Sequence, residues 1–100
     1  MTKARFAVWR EPGNAWRPAL PMEEQPLWKE HAAFMDALVS EGFVIMGGPL
    51  EQEEDEVLLV VETESEGEIR KRLAEDPWTG AEMLSITRIA PWDVRLQPKK

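Results

Sequence analysis

One hundred residues, 43% of them apolar, suffice for one globular domain with a modest core and are too apolar for a disordered chain. The formal net charge of −7, with lysines and arginines scattered, weighs against a nucleic-acid partner, since phosphate binding requires clustered cations. The absence of cysteine excludes disulfides and thiol chemistry, a single histidine leaves too few ligands for a zinc or haem site, and no apolar run approaches the roughly 20 residues of a membrane span.

The N-terminal Met1-Thr2-Lys3-Ala4-Arg5 leads directly into Phe6-Ala7-Val8-Trp9, too short for a signal-peptide core and without a small-residue cleavage site, so a cytoplasmic location is expected. Arg5 to Arg10 reads as a first strand. Glu11 to Pro21, with three prolines and a glycine, reads as a loop long enough to act as a lid or binding loop. A helix is expected from about Glu23 to Glu41, with Pro26 in its first turn, Glu23 and Glu24 at its positive end and Gly42 as its left-handed stop. Phe43-Val44-Ile45-Met46 reads as a strand ended by Gly47-Gly48-Pro49, and the acidic stretch Glu51 to Glu56 as a solvated turn. Val57 to Glu62 is the next strand. Ser65 and Glu68 have capping-box spacing and open a second helix ending near Glu75. Asp76-Pro77-Trp78 leads through a short turn to a last strand from about Met83, continuing past Pro91.

Strand, helix, strand, strand, helix, strand is the ferredoxin-like α+β order, with two helices on one face of an antiparallel sheet. A sheet with one wet face alternates apolar and polar residues, yet Val57-Leu58-Leu59-Val60-Val61 and Phe43-Val44-Ile45-Met46 do not. Both faces are therefore expected to be covered. Two helices cover only one, so a homodimer packed sheet against sheet is expected.

His31 falls at helical spacing from Leu27, Trp28, Met35 and Leu38, which places a titratable ring on the apolar face. That is where a catalytic acid/base would sit; the plain alternative is a packed histidine bonded to a carbonyl or water. Asp76 before Pro77 has the chemistry of an N-cap, and its second oxygen remains able to orient an imidazole. Gly47-Gly48-Pro49 lacks the Lys-Ser/Thr ending of a phosphate loop; it suits a tight strand end or a close approach of backbone to a ligand. The acidic run lacks the spacing of a calcium loop. Trp16 and Trp78 flank loops and are candidates to line a pocket, although buried tryptophans more often serve core or interface.

The stretch HAAFMDALVSEGFVIMGGPL from His31 to Leu50, the later Asp76-Pro77-Trp78 and the closing Ile89-Ala90-Pro91-Trp92 together resemble the YCII-related (YciI-like) family, over most of the chain to about Leu96. The resemblance implies a dimeric α+β barrel of ferredoxin-like units and an active site of one histidine and one aspartate, mapping onto His31 and Asp76. One branch of that family removes chloride from a chlorinated hydroxyhydroquinone, and the fold is shared with muconolactone isomerases and cofactor-free monooxygenases. The long loop from Glu11 to Pro21 departs from the short members, so a reshaped pocket is expected.

The expectation is a single domain over residues 1–100 that processes a small molecule by His–Asp acid/base chemistry, as a lyase, dehydrohalogenase or isomerase, without metal or other cofactor. His31 and Asp76 are the expected catalytic pair; Trp16, Trp78, Gly48 and Pro49 are the expected substrate contacts. A small-molecule substrate or ligand and a second copy of the chain are the expected partners, with no nucleic acid and no membrane. The rivals are a non-catalytic small-molecule-binding or accessory dimer that retains the pocket, and a structural dimer with a packed histidine.

Overall fold

A computed structural model describes residues 3–51 and 55–98. Strand β1 (Ala4–Pro12) is followed by a 3₁₀ turn (Met22–Glu24), helix α1 (Trp28–Ser40), strands β2 (Val44–Pro49) and β3 (Val57–Thr63), helices α2 (Glu66–Leu73) and α3 (Pro77–Gly80), and strand β4 (Leu84–Pro91). The strands form one antiparallel sheet in the order β2-β3-β1-β4. This is the ferredoxin-like arrangement expected from the element order.

Alternation along the strands decides what faces the helices. Phe6, Val8, Val57, Leu59, Val61 and Leu84 join Leu38, Phe43, Ile69, Leu73, Trp78 and Met83 in one buried cluster. The opposite sheet face is also apolar. The register sets Ala7 against Val60 and Ala90, Trp9 against Leu58, and Met46 against Val60; directly opposed residues of antiparallel strands share a face. Among the described residues no helix lies on that side.

Five expectations require correction. Helix α1 starts at Trp28, not near Glu23, because Gln25 precedes a proline and is held extended at ψ 150°, and Leu27 then takes a left-handed conformation at φ 63°. Leu27 thus lies outside the helix and is exposed rather than part of its apolar face, and Glu23 and Glu24 belong to the preceding 3₁₀ turn. Strand β2 does not end at Gly47-Gly48-Pro49 but runs through it, which a proline permits because β2 is an edge strand. Helix α2 stops at Leu73, short of Glu75.

Other local expectations hold. Gly42 closes α1 at φ 82°, and the Glu68 N–H donates to Ser65 Oγ at 3.2 Å. The acidic turn is described only at Glu51, Asp55 and Glu56, since residues 52–54 lie outside the described residues.

The segment after β1 is a packed buttress. Gln25, 3% exposed, donates through Nε2 to the carbonyls of Arg17 and Leu20 and accepts the Arg17 N–H through Oε1. A buried amide that satisfies three backbone groups fixes a loop as a turn of secondary structure would. It holds Trp16 in the core, where the indole N–H donates to Asp55 at 3.2 Å.

Candidate active site

The site begins at a cap. Asp76 stands at the N-terminus of the single-turn α3 with Pro77 behind it, and its Oδ1 accepts the Trp78 N–H at 2.9 Å. The cap leaves carboxylate capacity unused. His31, one turn into α1, places Nδ1 at 2.9 Å from both oxygens, and Arg10 of β1 donates from Nη1 to Oδ2 at 2.9 Å. One carboxylate therefore joins a strand and two helices that are far apart in sequence.

All three side chains are buried: Asp76 and Arg10 are 1% exposed and His31 8%. Burial works against ionisation of Asp76 and is the largest single influence on it. The hydrogen bonds from His31 and the Trp78 N–H, with the charges of Arg10 and His31, outweigh burial and hold the carboxyl below its ordinary value. Asp76 is thus a carboxylate acceptor, and the His31 ring donates to it from Nδ1–H. Nε2 has no hydrogen-bond partner among the described residues.

The imidazole plane is fixed as well. The Trp78 indole stacks on it with centroids 3.8 Å apart and planes 8° from parallel. Trp78 is completely buried, donates from Nε1 to the Pro26 carbonyl at 2.7 Å and meets Trp16 edge-on at 5.5 Å. The left-handed Leu27, costly for a branched side chain, is what turns the chain from that carbonyl into α1. Trp28 closes over His31 from the same helix, 5.9 Å away.

A cavity of about 340 Å³ opens between α1 and the sheet. Its wall carries His31, Arg10, Gly48 and Pro49, and also Gly47, Met22, Trp28, Met35 and Asp36. The structure therefore brings His31 and Asp76 into contact and sets Gly48 and Pro49 on the same cavity. It does not place Trp16 or Trp78 on that wall; both lie behind the histidine, as its support. Larger clefts exist elsewhere on the surface, but neither His31 nor Arg10 lines them.

Arg10 was not singled out by sequence. The signal was present in the period of β1: Phe6, Val8 and Arg10 share the core-facing phase, so the strand carries a guanidinium into the interior. Beside it, the β1–β4 register shifts between Trp9 and Arg10, a bulge of the kind that re-aims side chains near functional sites. The sequence offers Gly47, with Gly48 and Pro49, as a tight strand end or a close approach of backbone to a ligand. A Cβ there would collide with Leu59, whereas one on Gly48 would meet nothing within 4 Å.

The fold, the buried His–Asp pair and the cavity beside it define a small α+β protein of ferredoxin-like architecture. A family model for the YCII-related domain matches residues 4–93, and the chain belongs to that family. Among solved structures it is similar to 5-chloro-2-hydroxyhydroquinone dehydrochlorinase (TftG) from Burkholderia phenoliruptrix AC1100, determined in complex with 2,5-dihydroxybenzoquinone. That likeness has a TM-score of 0.59 at 21% identity and covers 89% of this chain and 93% of that one. It is also similar to the structural-genomics protein YJCS, with a TM-score of 0.55 at 14% identity over 94% of this chain and 100% of that one. These likenesses establish the dimeric α+β barrel class of fold. No curated protein matches the sequence.

Proposed function

We propose that this protein is an enzyme that moves a proton on a small organic molecule bound beside His31. The observation that carries the reading is the geometry of that ring. Nδ1 is occupied by Asp76, the plane is locked by Trp78, and Nε2 has no hydrogen-bond partner among the described residues on a side chain that lines the cavity. Nε2 takes a proton from an enol, a phenol or an activated carbon. The bonding pair left behind either expels a leaving group or is reprotonated elsewhere, giving elimination or isomerisation. Asp76 stabilises the imidazolium formed when the proton arrives; in isomerisation His31 returns the proton to the substrate, and in elimination it releases it to solvent alongside the departing anion. The dehydrochlorinase likeness supports the eliminating version of this chemistry.

A positioned acid/base of this type contributes about 10²–10⁴-fold. Turnover is to be screened over chlorinated and unchlorinated hydroxyquinols, ring acids and lactones, with His31→Ala as control. A substrate whose turnover falls by about 10²-fold or more in His31→Ala fits the proposal. Ligands that bind equally well to both proteins and are never converted would identify a binding module instead.

The second copy belongs to the same reading. Half-buried Trp9 and Leu58, with Ala7, Val60 and the 63% exposed Met46, make the helix-free face of the sheet apolar. A second subunit placing its own sheet there covers that surface, as the barrel form of this fold requires.

A further inference from the structure

Among the described residues, three that are not glycine have a positive φ: Leu27 at 63°, Asp55 at 59° and Glu82 at 60°. Such a backbone is disfavoured for residues with a side chain and persists where the surroundings enforce it. The three are far apart in sequence, yet all of them border one segment, the connection from Gly13 to Leu27 between β1 and α1. Leu27 ends it. The Glu82 carbonyl accepts the Ala15 N–H at 3.0 Å and lies so close to Gly13 that a Cβ there would collide with it. Asp55 accepts the Trp16 indole N–H at 3.2 Å.

Each strained residue therefore coincides with a point at which the segment is tied down. Beside Leu27, the Pro26 carbonyl takes the Trp78 indole N–H at 2.7 Å. Between the ties, Gln25 gathers Arg17 and Leu20. A connection that only joins two elements needs no such backbone; strain of this kind collects at clamps and switch regions.

The ties converge on one ring. Trp16, 7% exposed, meets Trp78 edge-on, and the Pro26 carbonyl holds the Trp78 N–H, so the segment grips that indole at two points. Trp78 in turn stacks on His31 with planes 8° apart. Aromatic pairs have tilted and edge-on arrangements of comparable energy, so a parallel stack is kept only when something holds the rings to it. Trp16 is not on the cavity wall, and its influence on His31 runs through the Trp78 ring.

We propose that the segment from Gly13 to Leu27 is a loaded clasp, closed by the Trp16–Asp55 bond, and that Trp16 and Asp55 are positioning residues that hold the His31 plane through Trp78. The proposal rests on the reading of His31 as the acid/base and adds what keeps its ring aimed. With the bond open, Trp16 loses its tether, the Trp78 indole is free to tilt and the imidazole follows it. Met22 rides on the same segment and lines the cavity, so the clasp also fixes part of the wall beside His31.

The test reads the carbon-bound ring protons of the single imidazole in ligand-free protein. An indole face stacked on them shifts them upfield of free imidazole. The variants are Trp16→Phe, Asp55→Gly and Asp55→Asn. Phenylalanine keeps an aromatic edge toward Trp78 but loses the N–H. Glycine removes the acceptor and takes the positive φ freely, whereas asparagine keeps an acceptor oxygen and tolerates the same φ. The His31 protons of Trp16→Phe and Asp55→Gly should move downfield toward the free value while the ring-nitrogen shifts show unchanged protonation. Those of Asp55→Asn should stay with wild type. A merely structural role would lower the denaturation midpoint and leave the ring protons of the folded protein where they are. Asp55 is exposed, so its replacements leave the core in place even where Trp16→Phe does not fold. Ring protons unmoved in Asp55→Gly, or moved as far in Asp55→Asn, overturn the proposal. The measurement needs no ligand, so it can fail while the acid/base reading of His31 stands. Turnover undiminished in His31→Ala removes that reading, and the positioning role with it, whatever the ring protons do.

Discussion

Asp76 receives three donors on two oxygens: His31 Nδ1, Arg10 Nη1 and the Trp78 N–H. Its replacement carries a distinct signature. Because the folded carboxyl lies below its ordinary value, its ionisation stabilises the fold above that value, and the contribution disappears as pH falls through the lower folded value. Asp76→Asn leaves Arg10 buried without its counter-charge, a class of change that costs about 3–5 kcal/mol. Denaturant titrations of both proteins should therefore differ most at neutral pH and converge in acid below about pH 4. A gap that stayed constant down to acid would show that Asp76 is not the ionised hub.

The two glycines on the cavity wall make a prediction at the scale of β2. Gly47→Ala forces its methyl into Leu59 and should cost about 1–3 kcal/mol. Gly48→Ala meets open space without a positive φ, so it should stay within about 0.5 kcal/mol of wild type. Thermal melts of the pair decide this, and equal losses would contradict the register that turns Gly47 toward Leu59. These elements also mark how far sequence reasoning reaches. Gly42, the Ser65 cap and the Asp76-Pro77 cap were legible because each is a local rule of backbone chemistry. The start of α1 was not, because apolar spacing continues across Gln25 and Pro26 while the backbone there is extended. The span of β2 was missed because whether Gly-Gly-Pro ends a strand depends on its lying at the edge of the sheet, which is a property of the whole topology.

At the scale of the whole molecule, His31 was legible by its phase on α1, but its surroundings were not. Local sequence gives Asp76 a cap with an oxygen to spare for some imidazole; the family resemblance pairs it with His31, and the folded chain brings the two to 2.9 Å. Arg10 and Trp78 complete the cluster through contacts that no short-range pattern encodes. The apolar outer face of the sheet, by contrast, follows directly from the unbroken run Val57 to Val61. Sedimentation at micromolar concentration should give about twice the 11.5 kDa chain mass, and Val60→Glu should return it to one chain with α1 and the site intact. A wild-type protein sedimenting only as the single chain contradicts the dimer.

The central claim is that His31 presents a free Nε2 to a ligand while Asp76 holds Nδ1. The chain contains a single histidine, so ¹⁵N-histidine labelling yields one imidazole and needs no assignment. In mildly alkaline buffer, a long-range ¹H–¹⁵N spectrum should show a protonated Nδ1 and an unprotonated Nε2, with Nε2 shifting when 2,5-dihydroxybenzoquinone is added. The reverse tautomer, or an Nε2 signal unmoved with the probe bound, would contradict it.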